Sequence, residues 1–146
     1  IHGAGMRKRS AWVLERPYEP EAGREAMIEL CTRFRRRPTS VVVANIHAAI
    51  GAMLGAREVG LKIPEQLSIA AIHDWWISDY MRPKLTTVRM PQRALGQQAM
   101  QQLHDRLQGK AALDITITDP PPRLIEREST APPPRRLVRG RLPEAD

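Results

Sequence analysis

Aromatic side chains make up only 4% of the 146 residues, so any core must rest on aliphatics and alanine. Cysteine is scarcer still: Cys31 stands alone, which excludes an internal disulfide framework and suits a reducing compartment. No apolar run approaches the ~20 residues needed to cross a bilayer. The opening IHGAGMRKRS lacks the apolar stretch of a secretory signal. The G-x-S-x-G elbow of hydrolases, the phosphate-binding P-loop and the dinucleotide glycine pattern are all missing, so no catalytic constellation is legible and the chain is not expected to be an enzyme. His47 and His73 match no zinc-ligand spacing, and Cys31 falls on a helix face. Neither a metal nor any other cofactor is expected.

What is present is ordinary for a globular domain: 42% hydrophobic and 27% charged residues, in a length that buries one core. The net charge of +7 raises the question of nucleic acid. Its placement answers otherwise. Arg33, Arg35, Arg36 and Arg37 sit where a helix would end and oppose the negative end of its dipole, while Arg135, Arg136, Arg139 and Arg141 lie in a tail. A single aromatic, Phe34, falls within these basic runs, where a stacking nucleic-acid surface would need several.

Periodicity divides the chain into alternating elements. Ser10–Leu14 (SAWVL) reads as a buried strand. Pro20 fits a first helical position, and Ala22, Ala26, Met27, Leu30, Cys31 and Phe34 form the apolar face of a helix ended by Pro38. Val41–Ala44 is a continuous β-branched run, expected to be buried on both faces of a parallel sheet. Asn45 ends it, and a helix with Ala49, Ile50, Met53 and Leu54 on one face runs to Gly60. Leu67–Ile72 is the next strand. Pro91 opens a helix whose Leu95, Ala99, Leu103 and Leu107 form a stripe, closed by Gly109. Leu113, Ile115 and Ile117 alternate with polar residues as in a half-exposed strand, and Leu124-Ile125 is a last apolar pair. The fold class is α/β, with right-handed crossovers and a parallel sheet flanked by helices. Residues 131–146, rich in proline and charge, are expected to be a disordered tail.

Ligands of such sheets bind beyond the carboxyl ends of the strands. There the first strand offers Tyr18 and Glu19, the second Asn45, and the third His73 and Asp74. A ring that stacks, with a carboxylate, an amide and an imidazole, suits a small polar molecule such as a sugar or nucleobase. Each residue also has a structural alternative: Tyr18 covering the sheet edge, Asn45 as a helix N-cap, Asp74 closing its turn. Of the neighbouring Trp75 and Trp76, one is expected to pack and the other to reach an interface.

Pro38–Gly51 (PTSVVVANIHAAIG) followed by Gly60–Ser68 (GLKIPEQLS) resembles the effector-binding domain of the LacI/GalR family of bacterial transcription regulators. Pro83–Met90 (PKLTTVRM), with Pro91 and Leu95-Gly96, resembles that family's crossover into its last long helix, and Arg123–Thr130 (RLIEREST) resembles its closing strand. The resemblance spans nearly all of residues 1–130. It implies a periplasmic-binding-protein-like fold (type I) of two lobes with an effector in the cleft between them. Residues 1–84 would then form the C-terminal lobe, Leu85–Met90 would cross, helix 91–108 would pack on the other lobe, and the strand near Leu124 would return. The headpiece, the hinge helix and most of the first lobe have no counterpart, so a partial domain is expected, with Ile1–Ala4 the stub of a lost helix.

The implied function is effector sensing in a cytoplasmic DNA-binding transcription regulator. A small polar, sugar-like ligand would control operator binding by an N-terminal helix-turn-helix absent from this chain. By the same resemblance Tyr18 falls at the stacking position, Glu19 beside it, and Asn45 at the asparagine that bonds the effector. Ile46 and His73 depart from the family, standing where many members carry aspartates. A homodimer is implied through helix 48–59 and segment 75–82. The alternative, a sugar-binding protein of a transporter, shares the fold but would need a secretory signal upstream and usually lacks the LTTVRMP pattern.

Overall fold

In the computed structural model, which describes residues 10–34, 37–111 and 113–133, a four-stranded sheet is backed by two packed helices. The strands β1 (Ser40–Val43), β2 (Ser68–Ile72), β3 (Thr86–Arg89) and β4 (Arg123–Ile125) lie in the order 1-2-3-4. The first three are parallel, in a register that places Val43 opposite Ala71 and Ala71 opposite Thr87. The fourth is antiparallel, with Leu124 opposite Val88. The sheet is therefore mixed rather than wholly parallel, because the chain leaves β3 through the third helix and returns beside the same strand.

Helices α1 (Pro20–Thr32) and α2 (Ile46–Glu58) supply most of the core. Met27 and Cys31 of α1 meet Ile46, Ala49, Ala52, Met53 and Ala56 of α2, over Leu67, Ile69, Ala71 and Leu85 around the sheet. Small residues let the two helices touch backbone to backbone. A methyl group at Gly51 would be driven into the Pro20 carbonyl, and one at Gly55 would sit 2.5 Å from the Arg24 oxygen. At the far end of α2, Gly60 adopts φ +74°, and Leu61 N–H donates to the Ala56 carbonyl at 2.9 Å, a Schellman closure.

Helix α3 (Gln92–Leu107) buries no residue. Its stripe is open to solvent, with Leu107 80% exposed and Leu95 and Leu103 also uncovered. Gly109, at φ +80°, terminates it as expected.

Several expectations are corrected. Ser10–Trp12 forms a short 3-10 turn, and the segment after it joins no strand. Apolarity alone does not supply a pairing partner, and Trp12 instead meets Phe34 edge-on, with ring centroids 6.4 Å apart. With that strand unformed, β1 is an edge, and its central Val42 is 71% exposed rather than buried on both faces. Helix α1 stops at Thr32, short of Pro38, where the Thr32 hydroxyl donates to the Ile28 carbonyl at 2.8 Å. Residues 113–118 alternate correctly but form no strand, since no neighbour among the described residues pairs with them. Trp75 and Trp76 are both exposed, so neither is packed away.

Leu85–Met90, the expected crossing, begins as β3 within the sheet. Ala131, where the tail was expected to start, exchanges two 3.1 Å hydrogen bonds with the Ser68 hydroxyl. Residues 134–146 of that tail, the Ile1–Ala4 stub, and Arg35 and Arg36 lie outside the described residues.

Candidate functional site

The carboxyl ends of β1, β2 and β3 open on one side of the sheet. Asn45 lies two residues beyond Val43, the last residue of β1, and His73 directly follows Ile72, the last residue of the adjacent β2. The Asn45 side chain has two local duties. Its Oδ1 accepts from Ala48 N–H at 2.8 Å and caps α2, and its Nδ2 donates to the Tyr18 carbonyl at 3.2 Å. The cap expected as a structural alternative is thus present, and the same amide ties the start of α1 to the end of β1. Tyr18 presents a ring that is 68% exposed, available as a stacking face. Glu19 holds the N-cap position of α1 through its backbone, at φ −116° and ψ 153°, and makes no side-chain cap bond.

His73 is the strained member. Its φ of 69° lies in the left-handed region, which costs a non-glycine residue about 1–3 kcal/mol and which histidine tolerates better than most. The conformation turns the chain sharply out of β2. Its Nδ1 lies 3.0 Å from Nε2 of Gln92, the first residue of α3.

The strain is held by the residue that follows. The Asp74 side chain is only 6% exposed and accepts on both oxygens. Oδ1 takes the Thr87 hydroxyl at 2.6 Å and the Arg127 guanidinium at 2.9 Å, while Oδ2 takes Arg89 through Nε at 2.9 Å and Nη2 at 2.6 Å. Burial would raise the Asp74 carboxyl, but the bonds from Thr87, Arg89 and Arg127 outweigh it and hold the group below its ordinary value. Arg127, 9% exposed, also donates to Asp79 at 2.8 Å and to the Leu85 carbonyl at 2.9 Å. Burial opposes its charge, yet the bonds to Asp79 and Asp74 raise it above the usual guanidinium value. Two acids and two arginines balance, so this clasp pins the His73 turn to β3 and to the chain after β4. Contrary to one expectation, the Asp74 side chain does not close its own turn: its oxygens go to Thr87, Arg89 and Arg127.

The structure therefore joins Asn45 to the Tyr18 carbonyl by a bond, sets Asn45 and His73 just past the ends of adjacent strands, and keeps Glu19 next to Tyr18. Gln92, Arg89, Thr87 and Arg127 were missed by sequence reading. Strand register alone signalled Thr87 and Arg89, which fall opposite the end of β2; Arg127 carried no local signal. A cavity of about 860 Å³ lies elsewhere, between segment 12–18, α1 and β1. It reaches the site only at Tyr18 and is lined chiefly by Leu14, Met27, Leu30, Val41 and Val43. It is the gap left beside the unpaired edge strand.

A second cluster lies beside α2. His47 meets Trp75, Trp75 meets Trp76 and Trp76 meets Tyr80, each edge to face with ring centroids 6.0, 5.8 and 5.7 Å apart. All four rings are exposed. Of helix 48–59, most residues are buried against α1 and the sheet, leaving Leu54, Arg57 and Glu58 outward.

Comparison with known proteins bears on the fold and the family. The family model described as periplasmic binding protein-like domain matches residues 1–130. The HTH-type transcriptional repressor PurR of Yersinia enterocolitica is 35% identical over 139 residues, covering 95% of this chain and 40% of that protein. Among solved structures, a LacI family transcriptional regulator from Mycobacterium smegmatis superposes with a TM-score of 0.82 at 43% identity, covering 90% of this chain and 49% of that one. A LacI family regulator from Enterococcus faecium, solved with bound ribose, gives 0.67 at 32% identity, covering 82% and 43%. These relatives are transcription regulators rather than enzymes, and the chain spans about 40% of the length of the curated relative. No helix among the described residues is long and apolar enough to cross a membrane. The chain belongs to the periplasmic binding protein-like domain family, and is similar in sequence and fold to part of the LacI family regulator from Mycobacterium smegmatis.

Proposed function

We propose that this chain is the sensing part of a cytoplasmic transcription regulator and binds a small, sugar-like polar effector in a cleft above the strand ends. The observation that carries this reading is the bond from Asn45 to the Tyr18 carbonyl, which ties the segment bearing the exposed ring to the end of β1, beside the strand that His73 follows. The Tyr18 ring stacks on the apolar face of the ligand, while Glu19, Asn45 and His73 meet its polar edge. Helix α3, whose apolar stripe is uncovered, packs on a second lobe that closes the cleft from above. Closure changes the spacing of two helix-turn-helix headpieces, a coupling free energy between the effector and operator sites. The regulator is a homodimer, joined through the outward face of α2 and the aromatic row from His47 to Tyr80. The relatives are regulators, which favours this over a transporter's sugar-binding protein with the same fold.

The test is operator release in the regulator that carries this sequence. Tyr18→Ala removes an exposed ring at little cost to stability, and Asn45→Ala removes the amide together with a cap worth about 1 kcal/mol. Both are expected to abolish ligand-dependent change in operator affinity while leaving ligand-free binding intact. An unchanged response in both variants refutes the site.

A further inference from the structure

We propose that Arg127 is a positioning residue for the aromatic row: its guanidinium closes the loop that carries the row and so fixes the surface offered to a second copy of this chain. The choice of partner rests on the homodimer reading proposed above, whereas the closure rests on geometry alone. Loop 74–79 bears Trp75 and Trp76 and runs directly into Tyr80. These rings are 50%, 60% and 72% exposed, so burial does not fix them. They meet one another edge to face, and Trp75 also meets His47 in the first turn of α2. In the middle of the loop Ile77 packs against the core, and the Ser78 carbonyl accepts from Leu85 N–H at 3.0 Å. The ends are held differently. Asp74 precedes Trp75, Asp79 precedes Tyr80, and both acids bond the same side chain.

Arg127 uses all three nitrogens of its fork. Nε donates to Asp79 at 2.8 Å and Nη2 to Asp74 at 2.9 Å, while Nη1 donates to the Leu85 carbonyl and the Thr87 hydroxyl, both at 2.9 Å. The Arg127 backbone N–H donates to the Thr86 hydroxyl, also at 2.9 Å. The Nη1 bonds pin the planar fork to β3, so its remaining edges set how far apart the two acids stand. The acids flank Trp75 and Trp76, and the row inherits that spacing. A lysine carries the same charge on one nitrogen, which does not span both acids and β3. In a two-fold contact each subunit offers the same surface, so any displacement of the row enters twice.

Two measurements test this. In the full chain labelled with fluorotryptophan, ¹⁹F NMR reads each indole, the signals being assigned by Trp75→Phe and Trp76→Phe. Arg127→Lys and Asp79→Ala are each expected to shift the Trp75 and Trp76 signals while that of Trp12 stays in place. Asp79→Ala keeps the fold, since Asp79 is 57% exposed and Asp74 retains both arginines. Glu126→Ala removes an exposed acid beside Arg127 in sequence, and is expected to leave all three signals unchanged. In the regulator that carries this sequence, sedimentation equilibrium then reads the homodimer. Asp79→Ala is expected to raise its Kd about tenfold or more, at an unchanged melting midpoint. Unmoved Trp75 and Trp76 signals in both variants overturn the proposal. A weakened dimer with the signals in place overturns it as well, because charge alone then accounts for Asp79. Shifted signals with an unchanged dimer, or with a regulator that sediments as a monomer, uphold Arg127 as the positioning residue and overturn the second copy as partner. Shifted signals with a weakened dimer support both.

Discussion

Replacing Arg127 by leucine attacks the clasp that holds the His73 turn in place. The guanidinium, 9% exposed, makes contacts below 3 Å with Asp74, Asp79, Leu85 and Thr87. Removing one partner of a buried pair generally costs about 3–5 kcal/mol, because the other charge is left uncompensated. Two features reduce that figure here. Arg89 still holds Oδ2 of Asp74, and Asp79, 57% exposed, is rehydrated at once. The expected loss is therefore about 2–3 kcal/mol. Urea unfolding followed by tryptophan fluorescence measures it: with a slope of about 1.5 kcal/mol per molar, the midpoint falls by more than about 1 M. In a double-mutant cycle with Asp74→Asn, the coupling should be about 1–2 kcal/mol. The pH dependence has a definite sign. Asp74 in the folded chain lies below its ordinary 3.8, so its contribution is complete above the unfolded value and is lost as pH falls through 3.8 toward the folded one. The parent chain should lose stability below about pH 4 more steeply than Asp74→Asn. A midpoint shift under about 0.3 M, or a coupling near zero, refutes the clasp.

Two further predictions concern packing. Gly51→Ala is expected to destabilise by about 2 kcal/mol or more despite its better helix propensity, because the methyl meets the Pro20 carbonyl, which cannot yield; Gly96→Ala on α3, with open space around it, should instead stabilise by about 0.5–1 kcal/mol. Opposite signs in thermal melts support this account of the α1–α2 contact, and equal effects refute it. The uncovered stripe of α3 should drive this chain to self-associate, and Leu95→Glu with Leu103→Glu should suppress that in sedimentation velocity; a parent chain that sediments as a monomer at every concentration refutes it.

Much of the scaffold was legible because its signals are local. The β-branched run at Val41, the capping residue Asn45 and the stop at Gly60 each act within a few residues, and β1, the α2 cap and the α2 closure appear where they were read. SAWVL and LDITIT failed for one shared reason. An apolar or alternating run states what a segment would bury, whereas a strand also needs a neighbour to pair with, and neither segment has one among the described residues. The burial of Val42 failed likewise, because edge or interior is a property of the sheet and not of three valines.

The site divides along the same line. Sequence by itself determined which chemical groups stand at the chain turns: Tyr18 and Glu19 just before α1, and Asn45 and His73 just beyond β1 and β2. Tertiary structure decided what those groups are free to do. Only the register of β2 on β3 and the return of β4 bring Arg127, more than fifty residues away, onto Asp74 and fill that carboxylate. Only the start of α3 sets Gln92 against His73. Hydrogen-bond capacity is spent by whichever partners arrive in space, and no spacing along the chain records how it is spent.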